Sequence, residues 1–308
     1  MRPRTLLARS LRHYWRPHVA VVLGVAAAAA VLGGSLVVGD SVRGSLAGTA
    51  LARLGRATHA IESAGFFRDA LADDVQAQEA FGAACPLVAL RGVATHATSR
   101  RRAGDVLVYG VDERFWAFHG LEAPTLGPRD ALVSAPLARE IEAAEGDAVL
   151  VRLHAADDVS GSTLFGRRDE PARGMRLTVR GVRTRDELGE LALHPRGGEV
   201  RTAFVPLETL RRWVDRAGQA NVILARETED DTAPADVRSA LSRAVALEDL
   251  GLRLRPRPEA GGLQLETTSA LVDDALAARA IAVASGQGLK VSEVFVYLAN
   301  AIRVGERE

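Results

Sequence analysis

The residues able to do chemistry are spread thinly along this chain. Its seven histidines are His13, His18, His59, His96, His119, His154 and His194. None pairs with another four residues away and there is no HExxH, so a zinc site has no sequence support. Cys85 is the only cysteine, which excludes an intrachain disulfide and a thiolate cluster and fits a small buried hydrophobe. GSTLFGRR (Gly161 to Arg168) has the glycine spacing of a phosphate loop. Arg167 stands where the lysine should be and Arg168 where the Mg²⁺-binding hydroxyl should be, so a plain loop is expected. SGQGLK (Ser285 to Lys290) reads as a helix stop and turn.

The acidic doublets Asp73-Asp74, Asp157-Asp158, Asp230-Asp231 and Asp273-Asp274 sit in polar surroundings and read as caps or solvated loops. No GxSxG occurs, and Ser134 in VSAPL suits a helix cap better than a nucleophile. The run Arg100-Arg101-Arg102 before Ala-Gly reads as a turn between strands, with lipid headgroup contact as the alternative. FWAF (Phe115 to Phe118) holds three of the fourteen aromatics and reads as core, or else as a hydrophobic contact for a substrate or partner. No catalytic, cofactor-binding or metal-binding residue is assigned, and the chain is expected not to be an enzyme.

The elements around these residues say more. VAVVLGVAAAAAVLGGSLVVG (Val19 to Gly39) has no charge, and residues 1–18 before it hold five arginines and no acid. Twenty-one helical residues span about 31 Å, close to a bilayer's ~30 Å hydrocarbon core and longer than the usual signal-peptide apolar region. Arginines on one side and Asp40 on the other orient the N-terminus to the cytoplasm and the body outside it, at a cell (inner) membrane. Ala26, Ala30 and Gly34 recur at spacing four and form a small-residue face on which another helix could pack closely. A helix of a multi-helix bundle, a lone anchor and a cleaved signal are the three readings of the span. Leu6, Leu7, Leu11, Tyr14 and Trp15 among the arginines suit a short helix in the headgroup region. Beyond the span, Val42, Leu46, Ala50 and Leu54 continue at spacing four, so a stalk running from Asp40 through Val42, Arg43 and Leu46 is expected.

All 39 acidic residues lie from Asp40 onward, whereas five of the 39 cations precede it. The body is therefore mildly acidic, which argues against nucleic acid as a partner. Lys290 is the only lysine. Period-two alternation predicts strands over 105–111, 147–153, 175–180, 221–226 and 252–254. Helices are expected from Ser134 to Gly146, from Pro206 to Gly218, over APADVRSALSRAVALEDL up to Gly251, and over an Ala-rich stretch ending at Gly286. Strands and helices mix without a regular βαβ rhythm, so the fold class is α+β: one transmembrane helix with its stalk, then a two-part extracytoplasmic domain. Near the C-terminus the longest uncharged run is ten residues, between Arg279 and Lys290, too short to span a second time.

LARSLRHYWRPHVAVVLGVAAAAAVLGGSLVVGDSVRGSL resembles the N-terminus of FtsX-like ABC transporter permeases, whose first helix leads into a MacB-type periplasmic core domain. ALVSAPLAREI, GDAVLVRL, LTVRGV, TAFVPLETLRRWV, NVILAR and VFVYLANAIRVGERE are similar in kind to family segments; LVVGDSVRGSL (Leu36 to Leu46) is the most specific. The resemblance implies a permease that pairs with a separate cytoplasmic ATPase. Its stalk would transmit ATP-driven motion to an outer domain that exports or extracts lipoproteins, peptides or hydrophobic compounds. It further implies a core domain over 40–308 with a β-rich insertion near 125–204, and a dimer or pairing with another permease. Family members carry further helices and a loop that engages the ATPase, so this chain is expected to be an N-terminal portion or a subunit. A single-span membrane-anchored binding or scaffold protein is the alternative, and a secreted hydrolase with a cleaved signal is the third.

Overall fold

The computed structural model describes residues 12–153, 174–228, 236–257, 261–267, 272 and 274–294. GSTLFGRR, the doublets Asp157-Asp158 and Asp230-Asp231, and the expected headgroup helix up to Leu11 lie outside those residues. The chain divides into a larger unit, residues 1–156 and 169–250, and a smaller one, residues 157–168 and 251–308.

The larger unit begins with a single helix of 40 residues, α1 (Trp15–Leu54). It runs through the uncharged segment and on through Asp40, Val42, Arg43 and Leu46 without a break, so span and stalk are one element about 60 Å long. Every residue of it up to Gly48 is exposed. It is the one helix among the described residues long and apolar enough to cross a membrane.

The body is an eight-stranded sheet, β1 (His59–Arg68), β2 (Phe81–His96), β3 (Arg102–Val111), β4 (Asp130–Ser134), β5 (Ala148–Leu153), β6 (Gly174–Arg183), β7 (Thr202–Pro206) and β8 (Gln219–Glu227). The order is β1-β8-β2-β3-β7-β4-β6-β5, and β5 returns to pair with β2. Six strands therefore close into a ring, leaving β1 and β8 as an open wing. The 16-residue β2 serves both parts. Phe81 to Leu87 pair with β8, while Gly92 to His96 lie between β3 and β5. At the fork Asn221 completes the ladder with its side chain: its Nδ2 donates to the Ala89 carbonyl (2.9 Å) and its Oδ1 accepts from the Ala89 N–H (2.8 Å). Ring closure needs close approach at Gly92, where a Cβ would lie 2.5 Å from the Arg152 carbonyl oxygen.

From Val88 onward alternate β2 residues are buried, and Val88, Leu90 and Ala94 join Val106, Val133, Val151, Leu177 and Val205 in the ring's core. Helix α4 (Ala135–Ile141) and α5 (Leu207–Trp213) pack into the same cluster through Leu137, Ile141 and Leu210. A second cluster joins Leu107, Tyr109 and Phe204 to α3 (Glu113–His119). A third, under the wing, unites α2 (Leu71–Gln76) and α6 (Val237–Ala244) with Phe67, Ile223 and Ala225. FWAF is core: Phe115, Trp116 and Phe118 are all buried on α3. Cys85 is buried too, and burial pushes its thiol up to about 12. The three arginines lead from a turn into β3.

All five expected strands are present. The expected helices are present but shorter. Ser134 caps α4, its Oγ accepting from the Leu137 N–H, yet the helix stops at Ile141 rather than near Gly146. Glu142 takes the left-handed conformation and the Ala143 N–H bonds back to the Ala138 carbonyl, a Schellman stop made without glycine. Likewise α5 ends before Gly218, with Asp215 left-handed and the Arg216 N–H donating to the Arg211 carbonyl. The stretch before Gly251 splits into α6, capped by Asp236, and a 3-10 turn at Leu247–Leu250.

In the smaller unit β9 (Leu252–Arg257) pairs antiparallel with β10 (Gly262–Thr267), and helix α7 (Asp274–Gly286) follows. Alternation places Arg253, Arg255 and Arg257 on one face of the hairpin with Gln264 and Glu266, and Leu252, Leu254, Leu263 and Leu265 on the other. Arg255 pairs with Glu266 across the strands at 3.2 Å. Gly286 ends α7 as expected, with Gly288 at φ 73° in the turn.

Candidate functional site

Among the described residues, the exposed helix meets a packed body at the lower end of α1. Arg53, in its last turn, is 5% exposed. Its Nη1 donates to the Arg196 carbonyl (2.6 Å), and its Nη2 donates to the Gly198 carbonyl and to Glu190 Oε2 (3.0 Å). One guanidinium therefore grips both ends of a loop, residues 190–198, by the Glu190 carboxylate at one end and two backbone carbonyls at the other. Planar, multiply donating and permanently charged, Arg suits this better than Lys would.

The helix stops two residues later at Gly55, with φ 64° and ψ −122°. That backbone is open to glycine and strained for other residues, so the chain turns here because no side chain is present. A Cβ at Gly55 would sit 2.7 Å from His119 Nδ1 and 2.7 Å from Leu188 Cδ2. The contact is mutual. Arg56 reaches over Gly120, the left-handed cap of α3, where a Cβ would collide with the guanidinium. The Arg56 N–H donates to His119 Nδ1 at 3.3 Å, and Leu54 and Ala57 pack into the cluster of α3 and Leu188.

His119 is the only buried histidine in this socket and is held neutral. Burial, reinforced by the Arg56 charge, lowers its pKa to about 4. Since Nδ1 accepts from Arg56, Nε2 carries the proton, and that atom is buried without a hydrogen-bond partner among the described residues. Arg53 Nε is similarly orphaned. These are polar atoms left unsatisfied at the interface of helix and body, and they make the socket less stable than an equally packed apolar joint.

Two ion clusters hold the wing: one joins it at Asp69 to α3 and α5, and the other joins β1 to the 3-10 turn at Leu247–Leu250. Burial opposes ionisation of Asp69, but hydrogen bonds from Arg114 and Arg211 outweigh it and hold the carboxyl below its usual range. Arg211, 4% exposed, also donates from Nε to the Gln219 carbonyl (2.6 Å). Asp249 is held low in the same manner by Arg68, whose Nε and Nη2 reach it at 2.9 and 2.8 Å. Among the described residues no group of three or more His, Cys, Asp and Glu could hold a metal ion.

The residues singled out from sequence sit further up the same helix. Ala26, Ala30 and Gly34 are exposed, and a Cβ at Gly34 would meet nothing within 4 Å. Asp40, Val42, Arg43 and Leu46 are exposed on the stalk portion. Arg53, Gly55, Arg56, His119, Gly120, Leu188 and Glu190 were not indicated by sequence. The one available signal was the break in the spacing-four pattern after Leu54.

An apolar helix long enough to cross a membrane thus runs, without a break, into an α+β body that locks its end. The family model for the MacB-like periplasmic core domain matches residues 19–244, so the chain belongs to that family. The match covers the span, the socket and the whole of the ring and wing, and stops at the end of α6. No curated protein matches the sequence. Solved structures do. The periplasmic region of MacB from Actinobacillus actinomycetemcomitans is 12% identical, with a TM-score of 0.37 over 67% of this chain and 80% of that one. The extracellular domain of the noncanonic ABC-type transporter YknZ from Gram-positive bacteria is also 12% identical, with a TM-score of 0.38 over 66% of this chain and 90% of that one.

Proposed function

We propose that this chain is a non-catalytic component of an FtsX-like ABC transporter permease, whose stalk carries the motion of a separate cytoplasmic ATPase to the extracytoplasmic body. The observation that carries the reading is the continuity of α1. One unbroken helix of 40 residues joins the apolar span to a socket that grips it by Arg53 and turns it at Gly55. A flexible linker would dissipate axial motion, whereas a helix bonded at its end passes it on. Five arginines before the span put the N-terminus in the cytoplasm and the body outside. The core domain over 40–308, with a β-rich insertion near 125–204, belongs to the same reading; β4, β5 and β6 fall inside that insertion. The work such a body performs is export or extraction of lipoproteins, peptides or hydrophobic compounds, and the active form is a dimer or a pair with another permease, packed through Ala26, Ala30 and Gly34.

The test is purification from native membranes through a tag at the N-terminus. The expected product retains the tag and brings an ATP hydrolase with it, and Arg53→Gln leaves that association intact while lowering ATP-driven substrate release. A tagged 32.7 kDa chain alone in the membrane would replace this reading with an anchored scaffold, and loss of the tag with a shorter soluble product would show a cleaved signal.

A further inference from the structure

Next to the socket lies a small cleft over the β2–β3 face, and its lining converges on one chemistry. Ala89 and Arg91 of β2 stand opposite Tyr109 and Leu107 of β3. Leu193, His194 and Arg196 cover them from the loop held by Arg53, and Glu62 closes the side next to the fork in the sheet. The space is about 90 Å³. A space of that size suits one charged end group.

Of Glu62, Arg91, His194 and Arg196, three already have a partner. His194 Nε2 lies 3.2 Å from Glu62 Oε2, and Arg196 Nη1 lies 2.5 Å from Asp105 Oδ2. Arg91 has no carboxylate partner among the described residues, and its neighbours Leu107 and Leu193 offer no acceptor from their side chains. We propose that the cleft binds a carboxylate borne on a short apolar chain, with Arg91 as the charge partner and Leu107 and Leu193 as the apolar wall. A peptide C-terminus and an acidic side chain present the same chemistry, and the experiment separates them.

Position gives the site its consequence. The side chain of Arg196 lines the cleft while its carbonyl accepts from Arg53. A carboxylate that draws Arg196 away from Asp105 shifts the residue that the stalk grips. This second step rests on the transmitter reading above; the binding step does not.

The experiment uses the full chain in lipid nanodiscs and saturation-transfer NMR with three probes: N-acetyl-Ala-Leu, its C-terminal amide, and N-acetyl-Glu amide. Both the fold and the socket are left alone by Arg91→Gln, since Arg91 is exposed. The expected result is binding of a carboxylate probe and not of the Ala-Leu amide, weakened about tenfold or more by Arg91→Gln as for loss of one charge-assisted hydrogen bond. Binding of the first probe alone identifies a peptide terminus, and binding of the third alone an acidic side chain. Equal binding of the Ala-Leu amide, no binding of either carboxylate, or wild-type binding by Arg91→Gln would overturn the site and leave the transmitter reading untouched. With binding in hand, hydrogen exchange at residues 188–198 and 50–57 is expected to change on adding ligand. Unchanged exchange there would overturn the coupling step alone.

Discussion

Gly55 decides how the helix enters the body. Replacing it with Ala demands a side chain at a positive φ with ψ far from the left-handed well, and that Cβ meets a buried imidazole and Leu188. A cost of about 1–3 kcal/mol is expected from the backbone alone, read as a lower urea midpoint for Gly55→Ala. Gly120→Ala should cost less, because the atom its Cβ meets is the end of the flexible Arg56 side chain. His119 gives a pH prediction. Its folded pKa of about 4 lies below its ordinary 6.5. Between those values the unfolded chain binds a proton that the folded one does not, so stability falls as pH drops from 6.5 to 4. The loss approaches ~3 kcal/mol at the acid end. In His119→Asn, whose amide oxygen can still accept from Arg56, that part of the pH dependence should vanish when urea midpoints at pH 7 and 4.5 are compared. None of this was legible in the sequence. Gly55 is one of 29 glycines and His119 one of seven histidines, and only folding brings the end of α1, the end of α3 and Leu188 together.

At the scale of elements, α1 has two ends with different tasks. At the lower end Arg53→Ala would leave Glu190 and two loop carbonyls without their donor, a loss of about 3–5 kcal/mol if the vacated site stays dry. Its measurable sign is faster hydrogen exchange confined first to residues 190–198. Along the upper part, Ala30→Leu and Gly34→Leu test packing between helices. The space beside Gly34 is empty within the chain, so a leucine there leaves the fold intact and should reduce cross-linked dimers; unchanged cross-linking in both variants would remove the small-residue face from the reading. The helix itself was legible, from an uncharged run followed by apolar residues at spacing four. So were β5 and β6, whose alternation matches one buried face, and β3 and β8, whose apolar runs are buried on both faces from Val106 to Val111 and from Val222 to Ala225. The period failed for β2 because its ring-facing set includes Gly92 and His96 alongside Val88, Leu90 and Ala94, so that the inward face does not read as apolar. For β4 and β7 the run of five residues is buried almost throughout, and continuous burial leaves no period to detect. Helix ends were misplaced because Glu142 and Asp215 take the left-handed turns that sequence reasoning reserves for glycine.

For the molecule as a whole, what matters is whether α1 acts as a strut or as a tether, and its helical geometry separates the two. One residue inserted in the stalk between Leu46 and Thr49 raises the body by about 1.5 Å and rotates it by about 100° relative to the span. Seven residues raise it by about 10 Å but return it to within ~20° of its original facing. A tether would tolerate both, since neither changes the socket or the span. A strut whose body must face a partner would lose ATP-driven release with one added residue and recover much of it with seven. A strut that works by height alone would show the reverse order, impaired more by seven than by one. Because the stalk residues from Asp40 to Gly48 are exposed, such insertions should leave urea stability at the wild-type value. A variant that folds normally yet loses function in the pattern one-worse-than-seven would place the mechanism in the orientation that α1 imposes on the ring and wing.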